Sequence, residues 1–133
     1  MKSYTDLEQS KVLAEILPLK SADMYYPNRI DIKYQGALPI EFKRGNPLLS
    51  QEIAAWSLTT LLGVLEIIVD RKEGKTYLLN IEKGCTIEKD ITWWHVWYEE
   101  KYDGNSPIQT VTLEELVDAC YEIIIRLHEL NLL

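Results

Sequence analysis

At 133 residues, 47% hydrophobic and 26% charged with few Gly and Pro, the chain reads as one folded domain and not as a disordered segment. Its formal charge of −7 disfavours nucleic acid and anionic membranes as direct partners. No apolar stretch reaches the roughly 18–20 residues of a spanning helix, and residues 58–69 are interrupted by Gly63 and Glu66. The start, "MKSYTDLEQSKV", carries no apolar signal core, so a cytoplasmic location is expected.

The charge is unevenly placed. Residues 1–87 hold eleven acids and eleven Lys/Arg, whereas residues 88–133 hold ten acids against Lys89, Lys101 and Arg126. The whole imbalance of seven therefore falls in the C-terminal third. Two cysteines, Cys85 and Cys120, form no C-x-x-C pair and no zinc-type cluster with histidine, so free thiols and no metal are expected.

In chain order, residues 5–17 predict a short amphipathic helix with Leu7, Val12, Leu13, Ile16 and Leu17 largely on one side, ended by Pro18. A bridge over 20–29 follows, in which Tyr25 and Tyr26 either line a ligand site or, the favoured reading, cover a sheet edge. "IDIKY" (30–34) and "LPIEF" (38–42) alternate apolar with polar residues around "QGA" and predict a β-hairpin, with Pro39 marking an edge. Asn46 suits an N-cap and Pro47 a first helical position, so a helix is expected over 47–62, stopped by Gly63.

Residues 64–70 and 76–82 then predict a second hairpin around "RKEGK", with 83–90 as a charged connection. "ITWWHVWYEE" (91–100) reads as a fifth strand. Large apolar groups on both of its alternating sets predict a central strand at least partly covered on both sides. His95, between Trp93 and Trp97 on one set, is expected to be a partly buried neutral histidine with a satisfied ring. Thr112, followed by Glu115, predicts a capping box opening the last helix. Its core arc is Leu113, Leu116, Val117, Cys120, Ile123, Ile124, Leu127 and Leu130. Its charged arc is Glu114, Glu115, Asp118, Glu122, Arg126 and Glu129, and Ile125 lies inside that charged arc. The expected fold is α+β: a single domain with an antiparallel sheet of about five strands packed against two or three helices.

Catalytic templates are absent: there is no G-x-S-x-G, no phosphate-cradling glycine loop and no H-E-x-x-H. No catalytic residue and no cofactor is therefore assigned. Glu114 and Glu115 are explained by the positive end of a helix dipole. Asp118 and Glu122 are not, since like charges at i, i+4 cost a few tenths of a kcal/mol. A solvated helix face is the commonest reason for such a stripe. The functional reading joins Glu115, Asp118, Glu122, Ile125 and Glu129 with Glu99, Glu100, Tyr102 and Asp103 into one surface for a basic protein. Charge would steer the partner and aromatic side chains would make the desolvated contact.

In layout, "IDIKYQGALPIEF", "NPLLSQEIAAW", "ITWWHVWYEE" and the closing "TLEELVDACYEIIIRLHEL" resemble the small acidic α+β immunity proteins of bacterial toxin–immunity systems. The likeness covers most of the chain and carries no residue-by-residue motif. It implies a non-enzymatic inhibitor that binds one cognate toxin, often a nuclease, and blocks its active site or substrate path. The alternative from another class is a small-molecule-binding or regulatory domain with a Trp/Tyr-lined pocket. A third is a carboxylate-dependent enzyme of a type with no recognisable signature.

Overall fold

The structure is a computed structural model and describes residues 2–27, 39–41, 52–86, 91–101 and 110–133. Among these residues the fold is α+β, with three α-helices and seven strands in two antiparallel sheets. The strands thus divide into a three-stranded and a four-stranded sheet where one sheet of about five was expected. The chain forms two compact units, residues 3–60 and residues 61–133 with Lys2.

In the first unit, α1 (Leu7–Ile16) begins where the Asp6 carboxylate accepts the Gln9 N–H at 2.8 Å while the Gln9 side chain accepts the Asp6 N–H at 3.1 Å. This reciprocal cap satisfies two donors that the first turn would otherwise leave open. Leu17 then adopts an extended conformation before Pro18, as the sequence predicts. Leu13 and Leu17 are buried and Val12 is exposed. The three-stranded sheet has the order β2 (Ile40–Glu41), β1 (Met24–Tyr26), β3 (Ile53–Ala55).

Tyr25 and Tyr26 are therefore in the middle strand and not in a loop covering an edge. Tyr26 is buried and its hydroxyl donates to the Thr5 carbonyl at 2.8 Å. Burial, with Tyr4 and Asp6 adding to it, pushes its pKa up to about 12. Of the hairpin expected over 30–42, Ile40–Glu41 is a strand preceded by Pro39, and 30–38 and 42 lie outside the described residues.

The helix expected over 47–62 is corrected in part. Residues 47–51 lie outside the described set, Ile53–Ala55 is a strand, and α2 runs Leu58–Leu65. Non-local bonds decide this. Thr5 N–H donates to the Trp56 carbonyl at 3.0 Å, and the Trp56 N–H donates to Thr5 Oγ1 at 3.1 Å. The Asp23 carboxylate accepts both the N–H and the O–H of Ser57, at 2.8 and 2.5 Å, and Ser57 Oγ accepts the Thr60 N–H at 3.3 Å. The helix opens after Ser57 because its first donors are satisfied there. A short apolar run such as "IAAW" fits a buried strand as well as a helix turn. Gly63 sits inside α2 and does not stop it.

In the second unit the sheet order is β4 (Ile67–Asp70), β5 (Lys75–Thr86), β6 (Ile91–Glu100), β7 (Thr110–Leu113). The strand expected over 64–70 starts at Ile67 because α2 continues to Leu65. The "RKEG" turn is held by Asp70, whose carboxylate accepts the N–H groups of Lys72 and Glu73 at 3.0 and 3.3 Å. Gly74 closes it at φ 69°, a conformation that favours glycine. Residues 83–86 belong to β5 and not to a connection, while 87–90 lie outside the described set.

Thr112 is a strand residue, so the expected capping box does not form. The last helix, α3 (Leu116–Glu129), has Glu115 as its N-cap without a side-chain cap bond. Its core arc is as predicted for Leu116, Val117, Cys120, Ile123, Ile124 and Leu127, with Ala119 added. Leu113 and Leu130, at the ends of that arc, are exposed. Asn131 at φ 57° ends the helix, with the Leu132 N–H donating to the Leu127 carbonyl at 2.9 Å. Among the described residues no helix is long and apolar enough to cross a membrane.

Candidate functional site

Alternation along β6 and its register with β5 and β7 define two unlike sheet faces. On one, Ile68, Tyr77, Val96, Tyr98 and Val111 are buried, and α3 packs there with its buried row. The Tyr98 hydroxyl donates to the Leu65 carbonyl, which ties β6 to the end of α2. Burial first, and then the neighbouring Cys120, raise the Tyr98 pKa. Burial likewise pushes the Cys120 thiol up to about 12.

The opposite face is the more exposed. Ile67 and Val69 are 54% and 51% exposed, and Leu78 is 37% exposed. Across it runs a row of half-buried rings, Trp93, His95 and Trp97, ending at Glu99. The pairings Gly84↔Trp93, Glu82↔His95 and Leu78↔Glu99 place Glu82 on the same face. The Trp93 indole lies over the bare backbone of Gly84, where a Cβ would stand 2.0 Å from its ring. His95 and Trp97 rings are 4.6 Å apart, tilted by 38°. Trp97 Nε1 donates to Glu99 Oε1 at 2.9 Å.

β6 is central and its second set is partly covered, as expected, with Trp93, His95 and Trp97 half-buried. One expectation is corrected: the His95 ring is not satisfied, since its Nε2 is buried with no hydrogen-bond partner among the described residues.

The predicted interface residues do not converge on one surface. Glu99 lies on the open face beside Trp97. Glu100, one residue on, lies on the other face, where after Glu73 it helps raise the Lys75 pKa. Tyr102 and Asp103 lie outside the described residues. Glu115 accepts the Lys2 backbone N–H at 2.9 Å, and Asp118 pairs with Lys2 Nζ at 2.6 Å. Both acids are thus met by a residue from the charge-neutral part of the chain.

Asp118, Glu122, Ile125 and Glu129 recur at helix spacing along α3, away from its buried row. The first three are half-buried and Glu129 is exposed. Because α3 packs on the face opposite Trp97, this acidic row and Glu99 look out on opposite sides of the unit. Sequence reasoning missed Glu82 and Leu78, although the alternation of β5 already assigns them to one set with Asn80. It also missed Lys2, for which no local signal exists.

Cys120 is buried and Cys85 exposed, and both thiols are free. A protonated, buried thiol such as Cys120 is no nucleophile. Among the described residues no group of three His, Cys, Asp or Glu is placed to hold a metal ion. A cleft of about 240 Å³ lies between the β4–β5 turn and the end of α3, lined by Val69, Asp70, Arg71, Lys72, Leu130, Asn131 and Leu132, without an aromatic side chain. No protein-family model, curated protein or solved structure matches the chain.

Proposed function

We propose that the chain is a cytoplasmic, non-enzymatic module of the immunity type, which binds and neutralises a basic protein toxin, of nuclease type, through an acidic surface. The observation that supports this reading is the row Asp118–Glu122–Ile125–Glu129 on the side of α3 away from the core. Folding accounts for Asp118, which Lys2 meets at 2.6 Å, and leaves Glu122, Ile125 and Glu129 to be explained. Like charges at i, i+4 disfavour the helix by a few tenths of a kcal/mol. Glu129 stands in the last turn, where the dipole prefers cations. An apolar Ile125 amid these acids supplies desolvated contact for a partner already drawn in by charge.

The test is capture from the lysate of the native host on immobilised chain, followed by assay of the captured protein. A basic protein should be retained, lose its activity when bound, and elute as salt rises from about 0.1 to 0.5 M. Asp118→Lys/Glu122→Lys should lower that retention by about tenfold or more. Equal retention by the reversed variant would place the interface elsewhere.

A further inference from the structure

The open sheet face differs from the α3 row in chemistry as well as in position. Its strand residues include the acids Glu82 and Glu99 and no lysine or arginine. The sheet's own cations, Lys75 and Lys83, alternate to the other face. Glu82 and Glu99 stand about 13 Å apart along the strand direction, four residue steps, at either side of the His95–Trp97 stack. Aliphatic Ile67, Val69 and Leu78 extend the face toward β4.

A lysine ammonium needs water or three acceptors around a point charge. A guanidinium instead lays a flat face on an indole and gives paired N–H donors to a carboxylate in the same plane. Carboxylates spaced along indole rings match the second geometry. The Trp97 N–H holds one Glu99 oxygen at the edge of its ring.

We infer that this face is a docking surface for an arginine-bearing segment of a protein partner, with guanidinium groups stacked on Trp93 and Trp97 and paired with Glu82 and Glu99. The surface is distinct from the acidic row of α3. It stands whether or not that row binds a toxin.

The probe is an acetylated hexa-arginine peptide, with hexa-lysine as the control, titrated into the whole chain at about 150 mM salt, where diffuse attraction is screened beyond about 8 Å. Binding is read by calorimetry and by the indole N–H resonances. Hexa-arginine should bind about tenfold tighter than hexa-lysine, because stacking and bidentate pairing are open only to the guanidinium. The Trp97 indole N–H should shift on binding, and the Trp56 indole N–H, held by Ser21 Oγ, should not.

Glu82→Gln/Glu99→Gln should weaken the peptide by about tenfold, while Glu15→Gln/Glu66→Gln, at two exposed acids outside both surfaces and with the same change in net charge, should leave it within about twofold. Circular dichroism identifies a variant that fails to fold. Equal weakening by the two variants, equal affinity for lysine, or an unmoved Trp97 resonance would each overturn the assignment. None of these results bears on Asp118 or on the toxin reading.

Discussion

The two faces of β6 are built from nearly the same residue types and meet opposite fates. Val96 and Tyr98 are fully buried on one, beside a half-buried Trp94, whereas Trp93, His95 and Trp97 are all half-buried on a face with exposed Ile67 and Val69. The difference comes from α3, which covers one face with Cys120, Ile123, Ile124 and Leu127. Hydrophobicity shows that a surface is available for burial. A complementary surface elsewhere in the chain decides whether it is buried within the fold.

The largest effect that tests this contrast is core truncation. Ile123→Ala, at a fully buried position, should cost about 2–5 kcal/mol, through lost transfer energy and the cavity left behind. Val69→Thr, on the open face, should change stability by no more than about 0.5 kcal/mol, since surface changes are usually that small. Urea unfolding of both variants checks the pair. A Val69→Thr cost near that of Ile123→Ala would mean that the open face is closed in solution.

A smaller effect appears at alkaline pH. Burial holds the Cys120 thiol up to about 12, and the Tyr98 hydroxyl beside it is raised for the same first reason. The unfolded chain releases the thiol proton near its ordinary value of about 8.5 while the folded chain retains it. The stability from this group is therefore complete below about pH 8.5 and is lost as pH rises through the folded value of about 12. Cys120→Ala should flatten the decline in urea midpoint between about pH 8 and 11. A parallel decline in both proteins would show that Cys120 is not the group responsible. A thiol reagent should label exposed Cys85 at once and Cys120 only after unfolding.

Much of α3 and β6 was legible because their signals are local. A repeat near 3.6 placed the buried row of α3, and a run of β-branched and aromatic residues placed β6. The misreadings share a cause in distance. Ile53–Ala55 became a strand by pairing with Met24–Tyr26, and the Trp56 N–H after it reaches Thr5, 51 residues away. Asp118 found its cation at Lys2, 116 residues away. A tally of charges by segment cannot foresee such pairs. The splitting of Glu99 from Glu100 was, by contrast, written in the period-two geometry of a strand. Treating neighbouring acids as one surface ignored it.

The smallest expected effect lies at Gly84, where the open face meets the strand backbone. An added methyl would stand 2.0 Å from the Trp93 ring, so the indole must move. In a closed core such overpacking costs about 1–3 kcal/mol. On the open face the half-exposed ring can swing toward solvent, which limits the loss to its contact with the backbone. Replacing Gly also restricts the unfolded chain, which stabilises by about 0.4–1 kcal/mol. The two terms nearly cancel, so Gly84→Ala alone should shift stability by less than about 1 kcal/mol. In a Trp93→Ala background only the second term remains, and the same substitution should become stabilising by about 0.5 kcal/mol. A double-mutant cycle in urea reads the difference. If Gly84→Ala destabilised equally with and without the indole, Trp93 would not be resting on that glycine.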